Sequence, residues 1–296
     1  QRVDTEHGIT GLERVQSVAT PLATVGGNAV VAVGADGSAY AVSGAGGQLA
    51  VVHPTAAGGF TEPAMSDLGF TSSAQIQLTV VGTRWVVFDP ASGLLRVEGG
   101  SAPIDLREAL AAAGGAAGGG GTGGGTGGGG TGGGAAYAVV QQPGPEAAGV
   151  VVATGTGAIV VPIDGSDPQP GAISLPAGTE GTLWLAAPLR LGRCVQATWA
   201  SATVVYYGRN CGEARTEAVA IETPAATGTT TATTPRAART DGVRLRTNRG
   251  LVVLNDLDSG DLWDVDSAHP VKIDDWASVI PPPKSGDQNV KPTPED

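Results

Sequence analysis

The residues best placed to do chemistry in this chain are five aspartates in one short stretch, Asp256, Asp258, Asp261, Asp264 and Asp266 of NDLDSGDLWDVD. Calcium takes about six to eight oxygen ligands from a loop that alternates carboxylates and turns sharply at a glycine. Asp256, Asp258 and Asp261 with Gly260 fit part of that pattern, while the distal bidentate glutamate is missing. The plainer reading is an Asx turn between two strands with Trp263 packed beside it. The turn is expected, and calcium at Asp256, Asp258 and Asp261 is the candidate site tested against it. No other cofactor is implied.

Other chemistries find weaker footholds. Glycoside hydrolysis needs two carboxylates about 5 to 9 Å apart. The remaining acids, among them Asp67, Asp89, Glu98, Asp105, Glu108, Asp164, Asp167, Glu180, Glu213 and Glu217, are scattered and sit in or beside turn signals. A carboxylate-binding cluster drawn from Arg84, Arg190, Arg193 and Arg209 has nothing in the sequence to converge it. His7, His53 and His269 are far apart, and no Gly-x-Ser-x-Gly elbow is present to raise a nucleophile. Four tryptophans, Trp85, Trp184, Trp199 and Trp263, lie in strand-like runs, where a wide ring fills the gap between twisted sheets. No catalytic residue is assigned.

The two cysteines give a firmer expectation. Cys194 and Cys211 flank CVQATWASATVVYYGRNC, two strand-like runs folding back around Ala200–Ala202. The ends of such a hairpin meet, so the two thiols are expected to form a disulfide. Closing a loop of this size stabilises the fold by about 3 kcal/mol. A disulfide implies an oxidising compartment. Two cysteines with no histidine nearby do not make a zinc site.

What positions these residues is a recurring unit in which an apolar run breaks at a glycine-centred turn and resumes. It occurs at Ala29–Val42, Gln75–Val97, Gly149–Ile163, Arg193–Tyr207 and Arg249–Val265, with turn centres about 45 to 65 residues apart. Ala, Val and Gly dominate, and aromatic residues make up only 4%. A helix is expected only at Ala102–Ala113, with Asp105 capping its start and Gly114 ending it. The fold class expected is all-β, a β-propeller of about five to seven four-stranded blades. The count depends on whether residues 1–25 complete a blade at the N-terminus.

Residues 1–280 read as one propeller domain interrupted twice. Residues 114–134 hold sixteen glycines and nothing larger than threonine, and no Lys-Ser/Thr follows them to make a phosphate cradle. Residues 222–240 are a Thr/Ala/Pro-rich stretch of the kind found in exported spacers. Both are expected to be flexible insertions. From 281 to 296 a Pro-rich, acidic linker follows. The chain starts at Gln1 without methionine and reads as a mature product or a fragment. The net charge of −11 repels phosphate backbones, so no nucleic-acid partner is expected. No run reaches the roughly 18 apolar residues of a membrane span.

The turn after Asp256 partly matches the Asp-box of sialidase-type propellers, at Asp258, Gly260 and Trp263. Over roughly residues 180–283 the chain resembles large exported surface proteins of high-GC Gram-positive bacteria. The resemblance rests on Cys194, Trp199-Ala200 and Cys211, on RTNRGLVVLND from Arg246 to Asp256, on Gly260 with LWDVD from Leu262, on Ile273-Asp274-Asp275-Trp276 and on Pro281-Pro282-Pro283. It implies a propeller-like region followed, in a longer parent chain, by tandem Ig-like or fibronectin type III repeats. It carries over no catalytic residue. The resulting expectation is a non-enzymatic, extracellular cell-surface module for adhesion, scaffolding or interaction with a protein or surface glycan. The alternative is a carbohydrate-active propeller: a glycosidase, lyase or lectin.

Overall fold

Alternating small and β-branched residues, broken by glycine turns, give five successive antiparallel meanders. The computed structural model describes residues 23, 25, 29–43, 47–57, 59–69, 75–114, 138–164, 166–179, 183–201, 204–221, 242–248, 251–257, 259–266 and 270–273. The first sheet runs β1 (Val30–Val33), β2 (Ala39–Ser43), β3 (Gln48–Val52), β4 (Ala64–Asp67). The second runs β5 (Gln77–Val81), β6 (Arg84–Asp89), β7 (Leu94–Val97), β8 (Ile104–Asp105), and α1 (Arg107–Gly114) follows it. The third is β9 (Ala138–Val140), β10 (Gly149–Thr154), β11 (Gly157–Pro162), β12 (Gln169–Ser174). In the fourth, β13 (Trp184–Leu185) and β14 (Leu189–Leu191) both pair with β15 (Cys194–Ala200). Next come β16 (Val205–Asn210), the short β17 (Thr216–Glu217), which joins the third sheet, and β18 (Val219–Ile221). The fifth is β19 (Val243–Asn248), β20 (Leu251–Asp256), β21 (Leu262–Asp264), β22 (Val271–Lys272). The chain is all-β, as expected, and each of the five sequence units falls on one sheet.

The sheets pack face to face in chain order. Tyr40, Leu49 and Val51 of the first meet Ile76, Leu78 and Val80 of the second. Val86, Phe88 and Leu95 meet Val150, Val152 and Ile159 of the third. Val151 and Ile173 meet Val195, Ala197 and Trp199 of the fourth. Ala200, Val205 and Tyr207 meet Leu245, Leu254 and Trp263 of the fifth. Successive strand residues point to opposite faces, so a strand between two cores must be apolar throughout. In β10 that makes Val150 and Val152 serve one core and Val151 the next. Each such valine contributes about 1.5–3 kcal/mol by burial. The end sheets are one-sided, with Ala32 buried while Val31 and Val33 are 63% and 55% exposed. Among the described residues no shared core joins the fifth sheet to the first.

The helix is shorter than its sequence pattern. Ile104 and Asp105 pair with Leu95 and Leu94 as the outer strand of the second sheet. The helix therefore begins at Arg107, whose N–H donates to Asp105 Oδ1 at 2.9 Å. The Arg107 side chain also bonds this carboxylate and holds it down to about 2. Leu106 and Leu110 insert into the core between the second and third sheets. Apart from Gly114, the expected insertions at 114–134 and 222–240 and the linker 281–296 lie outside the described residues.

Candidate functional site

The structure brings together one Ser/His/Asp group that the sequence leaves apart. The β1–β2 turn closes through Gly34 N–H to Ser38 C=O at 2.8 Å. Within it, Asp36 accepts the Ser38 N–H at 3.0 Å and the Ser38 hydroxyl at 2.7 Å. Those two bonds hold the Asp36 carboxyl below its ordinary range, helped by His53. His53, just past β3, brings Nδ1 to 2.8 Å from Ser38 Oγ. The Ser38 hydroxyl is directed at Asp36, so the close Nδ1 contact is a hydrogen bond only with His53 in its Nδ1–H form and Oγ accepting. A serine nucleophile needs the opposite order, with histidine accepting the serine proton. Ser38 is also fully buried. The group is a clamp on the first sheet. Its only sequence signal is Asp36-Gly37-Ser38 followed by His53 at the end of the third strand.

The acidic turn is likewise a structural device at the residues described. In three sheets the second strand ends at a buried polar residue with a glycine four residues on: Ser43, Asp89 and Asp256. Four residues on, Gly47, Gly93 and Gly260 donate N–H to their carbonyls at 3.0, 2.9 and 2.8 Å. These glycines have φ of 59°, 69° and 76°, where a Cβ is disfavoured. Asp89 accepts the Ser92 hydroxyl at 2.6 Å, and Asp256 accepts the Ser259 N–H at 3.4 Å. Asp256 is thus a repeated fold position, buried in its own turn. Asp261 pairs with Lys272 Nζ at 2.8 Å, an internal cation that competes for that carboxylate. Asp258 lies outside the described residues, as do His7, His269 and Trp276. Among the described residues no group of three or more His, Cys, Asp or Glu side chains is set to hold a metal.

Cys194 and Cys211 form the disulfide expected of them. They sit one step beyond the Val195–Asn210 pair, at the open end of the β15–β16 hairpin. The four arginines do not form one cluster. Arg84 belongs to the second sheet, whereas Arg190, Arg193 and Arg209 belong to the fourth. Arg190 donates to the Gly149 carbonyl at 3.3 Å. Arg193 and Arg209 both help lower the Glu213 carboxyl, after its larger backbone hydrogen bonds. Trp199 and Trp263 are buried wedges between sheets, and Trp199 Nε1–H donates to Thr154 C=O at 2.7 Å. Burial closes those two rings to a sugar.

Sequence reasoning missed the segment that ties the third sheet to the second, fourth and fifth. After β9, Gln142 donates from Nε2 to the carbonyls of Ala187 at 3.1 Å and Leu245 at 3.0 Å. Its N–H donates to Pro188 C=O at 2.8 Å. Two residues on, Gly144 exchanges backbone bonds with Val80 and Gly82 at 2.9 and 2.8 Å. Gln77 bridges the second and third sheets with its side chain, donating to Ala138 C=O and accepting from Val140 N–H. Beside this segment is a cleft of about 180 Å³ lined by Val33, Gly34, Ala35, Val80, Pro143, Gly144 and Pro145. That lining offers no acid or base.

The arrangement defines an all-β protein of serially packed four- and five-stranded, mainly antiparallel sheets, with structural uses for the polar side chains best placed to react. No family model and no curated protein matches the chain. Among solved structures it is similar to virginiamycin B lyase from Staphylococcus aureus, at 10% identity and a TM-score of 0.46, covering 82% of this chain and 68% of that one. A catalytically inactive form of that enzyme with quinupristin gives 11% identity and a TM-score of 0.47, covering 86% and 70%. AztD from Citrobacter koseri gives 12% identity and a TM-score of 0.38, covering 82% and 61%. At these values the likenesses carry no function to this chain.

Proposed function

We propose that this chain is a non-enzymatic β-propeller module of an extracellular, cell-surface protein, serving adhesion, scaffolding or interaction with a protein or surface glycan. The observation that carries the reading is the arrangement of Asp36, Ser38 and His53, in which the buried Ser38 hydroxyl is directed at the aspartate. The most reaction-like grouping is thereby a clamp, in keeping with Asp89 and Asp256, which also bond within their own turns. The disulfide supports an oxidising compartment. The serial meanders support a propeller, whose blades pack in chain order around an axis. By its resemblance the parent chain continues into Ig-like repeats, and the mass of the native product tests that.

The test of function uses purified chain and cell-wall polysaccharide from a high-GC Gram-positive bacterium, read for both retention and product. Saturable retention with no new reducing ends or unsaturated sugars supports the module. Turnover that survives repurification would replace it with the carbohydrate-active reading.

A further inference from the structure

The third sheet carries an outer strand that the fourth sheet supplies. The chain leaves β16 at Asn210, and β17 then pairs in parallel with β12, Thr216 opposite Ile173 and Glu217 opposite Ser174. Ala218 N–H donates to Ser174 C=O at 2.8 Å, and Asn210 Nδ2 donates to Ala172 C=O at 2.8 Å. Among the described residues no other sheet borrows its outer strand from a neighbour. Two parallel pairs are a weak attachment, since parallel pairing is the less stable kind and short strands do not hold alone. The strap needs a fixed root.

That root is the disulfide. Cys211 directly follows Asn210 and is bonded to Cys194 at the start of β15. The corner after it is tightly held, with Cys211 N–H to Glu213 Oε2 at 2.6 Å and Gly212 N–H to Asn210 Oδ1 at 2.9 Å. Both cysteines are half-buried, within reach of a small dithiol. The seam beneath is close: a Cβ on Gly208 would lie 2.3 Å from Ile173 Cγ2. Loosening the end of β16 therefore acts directly on β12.

We propose that the Cys194–Cys211 disulfide is a redox latch on the strap 211–217, which covers the outer edge of the third sheet. A dithiol reduces it by two electrons: the S–S bond breaks, each sulfur leaves as a thiol with one proton, and the dithiol closes to its own disulfide. The corner after Asn210 then loses its covalent tie to β15, while β16 keeps its ladder; β17 leaves β12, and the exposed N–H and C=O groups of β12 form an edge to which an extended peptide strand can add.

The experiment is amide hydrogen exchange on the whole chain, with and without dithiothreitol, with thiol alkylation confirming reduction. Exchange in peptides spanning 169–175 and 211–218 is expected to quicken about tenfold or more, while 39–52 in the first sheet stays unchanged. Unchanged exchange at 169–175 with both thiols alkylated would overturn the proposal. So would an equal acceleration everywhere, which would make the disulfide a global staple. Ala218→Pro in the oxidised protein separates strap from latch by removing the N–H that bonds Ser174 C=O. It is expected to speed exchange at 169–175, with no further gain on reduction, and no effect of this variant would also overturn the proposal.

Discussion

The side-chain amide of Gln142 reaches the carbonyl of Leu245, 103 residues further along the chain, at 3.0 Å. Its other proton goes to Ala187, so one residue after the third sheet's first strand bonds to both the fourth and the fifth. Gln142→Ala leaves two carbonyls unpaired, and at about 1 kcal/mol per bond the expected loss is about 2 kcal/mol. Gln142→Glu should cost more, since a carboxylate cannot donate to either carbonyl. Urea denaturation of the two variants checks the order.

Acid should loosen the first sheet through Asp36. Its carboxyl is lowered by the Ser38 hydroxyl and N–H, so the folded chain keeps this charge to lower pH than the unfolded chain does. The contribution is fully present above about pH 4 and disappears as pH falls through the depressed folded value. Asp36→Asn should therefore be less stable than the parent at neutral pH, with the gap narrowing towards pH 3. Denaturation midpoints across that range decide it.

Two glycines should respond differently to the same methyl group. A Cβ at Gly260 meets nothing within 4 Å, so Gly260→Ala bears only the left-handed backbone cost of about 1–2 kcal/mol. Asn tolerates that conformation, and Gly260→Asn should recover part of the loss. Gly208 is not in the left-handed region, yet its Cβ would strike Ile173 in the adjoining sheet. Gly208→Ala should cost about 1–3 kcal/mol by overpacking, and Asn there should be worse, not better. Thermal melts of the four variants would show the reversal or refute it.

Calcium should not raise the melting temperature. Asp256 is buried in its own turn and Asp261 is paired with Lys272, so a cation would have to displace both contacts. Melting curves in calcium and in chelator are expected to coincide. A rise that grows with calcium concentration would restore the site at Asp256, Asp258 and Asp261.

Local patterns made the central strands readable. Gly149–Thr154 and the residues from Ala158 onward form β10 and β11 because a strand between two cores must be apolar on both faces, which leaves an unbroken valine run. The cysteine pair was readable for a similar reason, since a hairpin returns its ends to one another. The outer strands lacked such a signal. β4 is exposed at every residue, and β8 and β22 are two residues long, so burial imposes no pattern on them. Asp36, Ser38 and His53 were each visible, but their meeting depends on where β3 ends. β17 and Gln142 answer to neighbours in other sheets, and only the assembled fold reveals what they hold.

Among the described residues the sheets share cores only with the next in line, and such a row would be expected to fray from its ends. The residues from Gln141 to Pro145 work against that, because they touch the second, fourth and fifth sheets while belonging to the third. A five-residue crosspiece of this kind lets distant sheets melt together, so the sharpness of the unfolding transition should depend on it far more than its length would suggest.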